Sequence, residues 1–424
     1  MLVKVELENW MCFKERIEFS MCATSEQYQK ETLVRFGCKS RPLKVLPIAS
    51  IYGSNAAGKS TFVKALAFIQ LMVCSIRPKD ADVPLQSCKD LPPETPSLFS
   101  ITFVAENRIY ELSFACTRYE ILQERLARYT ERGKLERVLY SRNRSNVIVF
   151  EKSSKIFSII ERALNPNALF LQVADQLGAP EVLEPAGWFR DSLRILYPES
   201  KWQLFDRFLV DTPCTMKTKE ILKQFGTGIT DFQVEDVEYS AIPLQDFERE
   251  QINIMLKQKQ YLRMTLGKEG YILRRSPENP TEILAQKMVF VHGSQSYQMR
   301  DESDGTLRLL DLTPALFQLE TYPCVFVIDE LDRSLHPLLC KGIVQEFLSG
   351  ASAVRQSQLI FTTHNLLMLQ DRVLRRDESW IMDSSCDGKR ELYPFSDFKE
   401  CRSDRDILKS YLAGRLGGIP MDCR

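Results

Sequence analysis

The chain has 424 residues, of which 44% are hydrophobic and 26% are charged, and its 56 basic residues balance its 56 acidic ones. That length accommodates two or three ordinary domains, or one elaborate domain with an insertion, and the composition is that of a soluble protein with a sizeable core. A formal net charge of zero gives no indication of a nucleic-acid or anionic membrane partner, although a local basic patch is compatible with it.

Cysteine usage and hydropathy bear on the cellular compartment. The twelve cysteines are scattered, form no C-x-x-C pair and do not stand beside a histidine at metal-ligand spacing. Such usage is typical of a reduced protein in which cysteine serves as a small apolar side chain. The first ten residues do not resemble a signal peptide, and no stretch reaches the ~18 apolar residues that span a bilayer. We therefore expect a cytoplasmic protein without a membrane partner.

The first hundred residues predict a hairpin, a strand and a helix. Residues 2–8 alternate apolar and polar side chains as a half-buried strand does, and residues 16–21 predict its partner. An apolar run at 45–52 ends at a glycine, which suits a central parallel strand. Residues 59–76 repeat apolar side chains at helical spacing and predict a helix.

The pattern changes in the middle of the chain. Short β-rich runs separated by turn residues predict an antiparallel meander, with strands at 100–104, 108–115, 137–140 and 147–150. Residues 155–263 are predicted to be mostly helical, with the clearest helices at 219–225 and 247–262. The second of these helices is too short for a long coiled-coil arm, which needs three or four heptads.

Strands and helices alternate again after residue 286. The predicted elements are a strand at 287–292, a helix at 305–319, a buried strand at 324–328, a helix at 338–348 and a strand at 358–362. Two α/β segments, 1–117 and 287–424, thus flank an insertion of meander and helices at 118–286. The motifs that carry chemistry lie in the flanking segments.

Eight residues between the strand at 45–52 and the following helix fit the pattern G-x-x-x-x-G-K-[ST]. They are Gly53, Ser54, Asn55, Ala56, Ala57, Gly58, Lys59 and Ser60. Glycines in this pattern let backbone amides turn inward around phosphate oxygens, and the following helix presents its positive end. We expect Lys59 to reach the β and γ phosphates of a nucleotide and the Ser60 hydroxyl to coordinate magnesium.

The apolar strand at 324–328 ends in two adjacent acids, Asp329 and Glu330. Carboxylates at the end of a buried strand are costly unless they bind something. Asp329 is suited to bind magnesium, directly or through water, and Glu330 is then placed to act as a general base toward the attacking water. The spacing of these acids from the phosphate loop, about 270 residues, predicts that both belong to one site.

A histidine follows the next predicted strand. His364 is one of three histidines, with His292 and His336, and it stands directly after the strand at 358–362. An imidazole at that strand end can hydrogen-bond the γ-phosphate or hold the attacking water. We expect His364 to be catalytic and His292 to be structural.

Ser303 and Gly305 precede the helix at 305–319. They have two interpretations. A serine hydroxyl and a glycine amide at a helix N-terminus can bind an anion. The same pair can also form an ordinary N-cap, and physical chemistry alone favours the N-cap.

The order of these motifs resembles that of the ATP-binding-cassette ATPases. Within that superfamily the chain is similar to prokaryotic AAA-type ATPases linked to restriction and abortive-infection phage defence, relatives of the overcoming-lysogenisation proteins. The resemblance is carried by residues 53–61, 303–310, 328–337 and 362–365 and by the tail 411–420. It covers the two flanking segments, a little over half of the chain.

The resemblance implies an α/β fold, a P-loop NTPase head of the ABC/SMC type with a mixed sheet, carrying the β-meander and helical insertion. It implies ATP and Mg2+ as cofactors and adds Thr61 to the nucleotide-binding residues. It also implies that Ser303 and Gly305 contact the γ-phosphate bound to the opposite subunit, which favours function over a plain N-cap. The loop predicted to cross the dimer interface consists of Ser334, Leu335 and His336.

Two departures distinguish the chain from transporter subunits of that superfamily. Its signature turn lacks the second glycine and the glutamine, and His336 stands where transporters have aspartate. Both departures argue against a transporter subunit. The glutamine loop that usually senses magnesium is not assigned to any residue.

Residues 118–144 hold eight basic and four acidic side chains. Such a segment is compatible with a nucleic-acid or partner surface. The solvated edge of a β meander explains it more simply.

Three functional hypotheses follow. The leading one is an ATPase whose nucleotide-gated head dimer or higher oligomer regulates a separate effector, a nuclease or toxin, in anti-phage defence. The second is a nucleic-acid machine, a repair-type ATPase or a nuclease of the overcoming-lysogenisation type, although 60 residues after His364 are too few for the metal-binding nuclease domain. The third is a scaffold in which ATP is bound without hydrolysis.

Overall fold

The computed structural model of the chain describes residues 1–37, 42–144, 146–149, 156–200, 212–259, 261–267, 269–349, 356–385, 388–398 and 404–419. The chain divides into two compact units. The first comprises Met1–Glu199, Gln318–Asp332 and Pro337–Arg424, and the second comprises Ser200–Phe317 and Arg333–His336. No helix within the described ranges is both long and apolar enough to cross a membrane.

A six-stranded sheet in the first unit carries the phosphate loop and the acidic motif. Its strands, in spatial order, are Leu193–Leu196 (β11), Val325–Ile328 (β17), Gln358–Thr362 (β18), Ile48–Tyr52 (β5), Ser379–Ser384 (β19) and Arg390–Pro394 (β20). All neighbours pair in parallel except β20, which is antiparallel to β19. Strands β5, β17 and β18 are buried at every residue, which explains why they are continuous apolar runs rather than alternating ones.

The predicted meander belongs to a seven-stranded antiparallel sheet that also contains the N-terminal hairpin. The strands, in spatial order, are Asn146–Val149 (β10), Leu135–Asn143 (β9), Ile121–Tyr129 (β8), Arg108–Cys116 (β7), Ser97–Ala105 (β6), Leu2–Glu8 (β1) and Ile17–Ser20 (β2). Each neighbouring pair is antiparallel. A separate short pair, Val34–Phe36 (β3) and Leu43–Val45 (β4), precedes β5.

Helix α1, Lys59–Cys74, is the central helix of the first unit. Its buried side chains join one apolar core with residues of both sheets. Phe62 contacts Phe19 of β2 at 5.0 Å between ring centroids, and Phe68 contacts Phe99 of β6 at 5.0 Å. Because phenylalanines from two strands of the antiparallel sheet pack on Phe62 and Phe68 of α1, the helix that follows the phosphate loop is held by the core.

Three further helices of the first unit pack beside the meander. They are Ile156–Ala163 (α2), Phe170–Gln176 (α3) and Pro180–Gly187 (α4). The buried carboxylate of Glu124 accepts hydrogen bonds from the amides of Phe170 and Leu171 and from the hydroxyl of Tyr140. A negative charge at a helix N-terminus is stabilised by the free amides there, so Glu124 anchors α3 to the meander.

The second unit is built around a five-stranded antiparallel sheet. Four strands follow the order Asp231–Val237 (β12), Ile283–His292 (β15), Glu269–Arg275 (β14) and Tyr261–Leu266 (β13), and Gln295–Gln298 (β16) also pairs with β15. The helices are Thr212–Gln224 (α5), Asp246–Gln258 (α6) and Asp304–Thr321 (α7), whose last four residues belong to the first unit. Ile252 and Leu256 of α6 form a small core with Leu273 and Ala285 of the sheet.

The strands in this part of the chain correct two expectations. The prediction that residues 155–263 are mostly helical was wrong for β11, β12 and β13. The strand predicted at 287–292 exists as β15, but it belongs to the antiparallel sheet and not to an α/β alternation. The 13 residues of α6 agree with the expectation that no long coiled-coil arm starts there.

The C-terminal elements complete the first unit. The helices Pro337–Ser349 (α8), Leu367–Gln370 (α9) and Asp404–Leu412 (α10) follow β17, β18 and β20, respectively. The predicted tail motif folds back onto β19, because the Gly418 amide donates to Asp383 at 2.8 Å and the Tyr411 hydroxyl donates to the Gly418 carbonyl at 3.0 Å. Residue 420 of that motif lies outside the described residues.

The boundaries of the two compact units do not coincide with those of the three predicted segments. The boundary expected at 117/118 falls between β7 and β8, which are paired strands of one sheet. The boundary expected at 286/287 falls inside β15. The division into 1–117, 118–286 and 287–424 therefore remains a prediction about how the chain is organised, separate from its division into compact units.

Gln358, the first residue of β18, connects the two sheets of the first unit. It is fully buried, and its amide nitrogen donates to the carbonyls of Leu2 and Leu46 at 3.0 Å each. Its amide oxygen accepts from the Leu2 amide at 2.5 Å. One side chain thus satisfies three buried backbone groups, which explains why a polar residue begins an otherwise apolar strand.

We predict that Gln358→Leu destabilises the chain although the two side chains have similar volumes. Removing the amide leaves three buried backbone groups without a partner, and each such group costs about 1–3 kcal/mol. The free energy of unfolding, measured by urea denaturation, should fall by at least about 2 kcal/mol. Gln123→Leu, at an exposed position of β8, is the control and should stay within about 0.5 kcal/mol of the wild type. Equal stabilities of the two variants would contradict this role.

Candidate functional site

The phosphate-loop sequence lies between β5 and α1, as predicted. Residues 53–58 form the turn, and α1 begins at Lys59, so Ser60 and Thr61 lie in its first turn. Gly58 is the N-cap residue and has a φ of 121°, and Ala56 has a φ of 62°. These left-handed conformations turn the chain sharply, which is what exposes successive amides toward one side.

Lys59 is folded back over this turn. Its side chain is buried, and Nζ donates to the carbonyls of Gly53 at 2.8 Å and Ser54 at 2.9 Å. Burial lowers the pKa of Lys59 to about 8, although the charges of Asp329, Asp332 and Glu330 oppose that shift. The ammonium group therefore lies in a poorly solvated place with three carboxylates close enough to act on it.

The two acids follow β17 at the carboxyl edge of the parallel sheet. Asp329 is buried, and its Oδ1 accepts from the Thr362 hydroxyl at 2.7 Å. The Glu330 amide donates to the same hydroxyl oxygen at 2.7 Å. Glu330 has a φ of 49°, a conformation that non-glycine residues rarely adopt, and this turn brings its amide to Thr362. The hydroxyl of Thr362 thus fixes both acids at once.

His364 and Asp332 lie beside this pair. The His364 amide donates to Asp332 Oδ2 at 3.0 Å, which ties the residue after β18 to the turn after β17. Burial lowers the pKa of His364 below its usual value, and the positive charge of Lys59 lowers it further. The imidazole is therefore neutral at neutral pH, so one ring nitrogen can accept a hydrogen bond while the other donates one.

Strand β11 contributes a residue that sequence reasoning missed. The Asp329 amide donates to the carbonyl of Leu196 at 2.8 Å, so the residue after β11 reaches the same edge of the sheet. That residue is Tyr197, whose pKa is raised by burial and by the negative charge of Asp329. A four-residue strand inside a region predicted to be helical gave no sequence signal for this neighbour.

Ser303 and Gly305 lie in the second unit at the start of α7. The Ser303 hydroxyl accepts from the Thr306 amide at 3.1 Å and lies 2.9 Å from the Thr306 hydroxyl, which is the geometry of an N-cap. A methyl group added to Gly305 would come within 2.7 Å of the Ser334 carbonyl. Within one chain, then, Ser303 caps α7 and Gly305 allows the loop of Ser334 to approach it.

The loop predicted to cross a dimer interface also belongs to the second unit. Leu335 is buried, whereas Ser334 and His336 are exposed. Ser334 has a φ of 60°, so this loop, like Glu330, contains a left-handed non-glycine residue. In the same unit His292 Nε2 lies 2.7 Å from Glu302 Oε1, which agrees with the structural role expected for His292.

The basic segment 118–144 is largely neutralised. Five of its eight basic side chains lie within 4 Å of a carboxylate, namely Arg118, Arg125, Arg128, Arg142 and Arg144. Arg142 is buried, and the ion pairs of the other four leave little charge for a polyanion to bind. The arrangement favours the solvated meander edge over a nucleic-acid surface.

Sequence comparison identifies the family. Residues 48–369 match the model of the family described as "AAA domain, putative AbiEii toxin, Type IV TA system". The chain belongs to this family. The match includes the phosphate loop, both acids, the serine–glycine turn and His364. None of the curated proteins matches the chain in sequence.

Several solved structures are similar at low identity. An Smc head bound to the C-winged helix domain of ScpA has 14% identity and a TM-score of 0.40, covering 93% of this chain and 97% of that one. The SMC head domain from Thermotoga maritima has 12% identity and a TM-score of 0.37, covering 93% and 98%. An Smc head with an extended coiled coil from Pyrococcus furiosus, bound to the C-terminal domain of ScpA, has 13% identity and a TM-score of 0.39, covering 95% and 99%. Identities this low carry no information about function.

The family and the parallel sheet confirm the α/β class of the predicted fold, with an AAA domain that carries the phosphate loop after a parallel strand. In the first unit the structure brings together Lys59, Asp329, Glu330 and His364, four of the residues predicted to act on the nucleotide. It adds Thr362 and Asp332, which were part of the recognised motifs but had no assigned role. The roles of all these side chains in binding and catalysis are proposals.

We predict that the affinity for ATP falls as the pH rises through about 8, far below the range where an ordinary lysine titrates, because Lys59 binds phosphate only when charged. Above that pH the affinity for ATP should fall by close to tenfold for each further pH unit. Calorimetric titrations from pH about 7.5 to about 9.5 avoid the ordinary histidine range. Lys59→Arg stays charged throughout and should not lose affinity in this range, whatever its absolute affinity. A wild-type affinity independent of pH would contradict the prediction.

Proposed function

We propose that the chain hydrolyses ATP at the carboxyl edge of its parallel sheet. The observation that carries the proposal is the convergence of Lys59, Asp329, Glu330 and His364 where β5, β17 and β18 end. Membership of an AAA family supports it. Ligands of open α/β sheets bind outside the carboxyl ends of the strands, and a lysine after a glycine-rich turn is the usual phosphate ligand.

Each side chain has a distinct role in this proposal. The amides of residues 53–61 hold the phosphates, and Lys59 moves from the Gly53 and Ser54 carbonyls to the β and γ phosphates. Glu330 accepts a proton from the water that attacks the γ-phosphate. His364, neutral at neutral pH, hydrogen-bonds the γ-phosphate or that water. Thr362 is a positioning residue because it acts through Asp329 and Glu330.

The donors at this edge fit a magnesium ion. Asp329 is a carboxylate and Ser60 offers a hydroxyl, and Mg2+ prefers such oxygen ligands. Asp332 Oδ1 is buried and has no hydrogen-bond partner among the described residues, which leaves a third oxygen available. No group of three His, Cys, Asp or Glu side chains in the described ranges could hold a metal by itself, so the phosphates would complete the shell. The ion would neutralise charge on the phosphoryl group.

We further propose that the heads act as a nucleotide-gated dimer, which regulates a separate effector in anti-phage defence. The family description, which names a toxin of a toxin–antitoxin system, supports a role in such defence. Dimerisation is supported by the signature turn. Ser303 and Gly305 lie at the start of an 18-residue helix, which provides free amides for the γ-phosphate of the opposite subunit. ATP would then favour the closed dimer by binding it more tightly than the open form.

Glu330→Gln should retain ATP binding and lose hydrolysis. The amide keeps the shape of the side chain but cannot accept the proton of water, so steady-state phosphate release should fall by about 10²-fold or more. Calorimetry should find ATP affinity within about threefold of wild type. Lys59→Ala is the matched control and should lose ATP binding itself. Turnover of Glu330→Gln within a few-fold of wild type would place the general base elsewhere.

Ser303→Arg should block dimer closure without affecting the nucleotide site of its own head. In a Glu330→Gln background, ATP and magnesium should promote cross-linking between Ser334→Cys residues of two heads, compared with the same protein that lacks Ser334→Cys. Adding Ser303→Arg should abolish that cross-link, because a bulky cation replaces the hydroxyl at the trans contact, while ATP affinity per head stays within about threefold. Equal cross-linking with and without ATP, or with and without Ser303→Arg, would refute the trans contact.

A further inference from the structure

The first unit carries a short hairpin with two outward-facing bases. Strands β3 and β4 pair antiparallel, with Val34 opposite Val45 and Arg35 opposite Lys44. The two valines are buried in the core of the first unit, so alternation along each strand turns Arg35 and Lys44 outward, where both are exposed. Like charges directly opposite each other destabilise a pair of strands. The folding of the hairpin alone therefore does not account for these two residues.

The turn between β8 and β9 lies directly beside this hairpin. Gly37 follows β3 and has a φ of 90°, and a methyl group added to it would collide with the side chain of Glu131 in that turn. The turn is closed by its own backbone, because the Thr130 amide donates to the Lys134 carbonyl at 2.8 Å. Two further bases of the turn, Arg132 and Lys134, are exposed. The hairpin and the turn thus present four exposed bases on adjoining segments of backbone.

The chain does not neutralise these four bases. Within the ranges that the structure describes, no ion pair or side-chain hydrogen bond involves any member of the set, namely Arg35, Lys44, Arg132 and Lys134. The described hairpin residues, 34–37 and 43–45, contain no acid, and the turn at 130–134 contains one, Glu131. By contrast, Arg128 on β8 pairs with Glu136 at 3.0 Å. The four bases therefore form a basic patch with net positive charge.

We propose that this basic patch binds the phosphate backbone of a nucleic-acid duplex. Lysine and arginine contacts to phosphates supply affinity that does not depend on sequence. Proteins that bind single strands add aromatic side chains on which bases stack. The aromatic residue of the hairpin, Phe36, is buried, and the turn at 130–134 contains none, so the patch is suited to a backbone whose bases are already paired.

The same surface is poorly suited to a partner protein. Protein interfaces have an apolar core surrounded by a polar rim. The outward positions of β3 and β4 are occupied by Arg35 and Lys44, and the centre of the neighbouring turn is formed by Arg132 and Gly133. A ligand with closely spaced negative charges matches this arrangement. The inference does not rest on ATP hydrolysis, because the patch contains no residue assigned to the nucleotide site.

The salt dependence of binding counts the charges that take part. Fluorescence anisotropy of a labelled DNA duplex of about 20 base pairs is measured with the full chain, without ATP, from about 50 to about 200 mM NaCl. We expect a dissociation constant of about 10⁻⁶–10⁻⁴ M near physiological salt. The logarithm of the binding constant should fall with a slope of about 3 to 4 against the logarithm of salt, because each of four neutralised phosphates contributes about 0.9. No binding at about 50 mM NaCl, or binding independent of salt, would overturn the proposal.

Paired substitutions locate the contact. Arg35→Gln combined with Lys44→Gln removes the charges of the hairpin, and Arg132→Gln combined with Lys134→Gln removes those of the turn. Each double variant should lower the salt slope by about 2 and weaken duplex binding about tenfold or more at about 100 mM NaCl. A loss in only one of the two double variants would contradict a patch built from both elements.

A matched control removes the same net charge elsewhere. Arg118 and Lys389 are exposed bases that pair with Asp82 and Glu391. Arg118→Gln combined with Lys389→Gln should leave the slope unchanged and the affinity within about threefold of wild type. Equal losses in the control and in the patch variants would show that net charge alone attracts the duplex, and the patch would be refuted.

Other ligands and two further measurements separate the remaining explanations. A single strand of the same length should bind more weakly than the duplex, since its slope per phosphate is about 0.7. Tighter binding to the single strand, or to vesicles that contain phosphatidylserine, would overturn a duplex ligand. Lys44→Gln should not lower the midpoint of urea denaturation, because it relieves a repulsion, and a lower midpoint would indicate a structural role. Calorimetric ATP affinity should be unchanged in every variant, so loss of duplex binding would leave the ATPase proposal intact.

Discussion

The parallel pairing of β17 with β18 is the constraint on which the site depends. It sets Ile328 opposite Phe361, so the turn after β17 and the last residue of β18 meet at one edge of the sheet. There the hydroxyl of Thr362 donates to Asp329 and accepts from the Glu330 amide. A single buried hydroxyl can bind both groups because its hydrogen is donated to the carboxylate while an oxygen lone pair accepts from the amide. At the opposite end of β18, Gln358 ties the antiparallel sheet to the same strand, so one five-residue strand fixes both the site and the junction of the two sheets.

Sequence reasoning succeeded where chemistry restricts the residue type. A lysine after a glycine-rich turn, and two acids after a buried strand, are unusual enough in sequence to be recognised without a structure, and Lys59 and Asp329 do lie at the same edge. It missed the supporting residues for a physical reason. A threonine at the end of a strand is common in proteins and gives no sequence signal. The contacts of Thr362 with the two acids depend on the register between β17 and β18, which are about 30 residues apart in the chain. Tyr197 was missed because β11 is four residues long, too short to show a period.

The fold was predicted best where one face or both faces of an element are buried. The apolar runs of β5, β17 and β18 and the alternation of β1 gave correct strands, because burial imposes those patterns. In the second unit the two helices predicted at 219–225 and 247–262 exist as α5 and α6, but β12, β13 and β14 of its sheet were missed. Strand β12 is mostly exposed and carries several acids, so it has no period-two signal, and β13 and β14 form their sheet by pairing with each other and with β15. Pairing is a non-local property, and the composition of a half-exposed strand resembles that of a surface helix.

The signature turn at the start of α7 lies against the Ser334 loop within the second unit. Gly305 has a structural reason to be glycine, because a side chain there would collide with the Ser334 carbonyl. Ser334 follows Glu330 by four positions, and the chain passes from the first compact unit to the second between Asp332 and Arg333. Within the second unit, one close contact thus holds the start of α7 and the Ser334 loop together, so a side chain at position 305 would displace that loop.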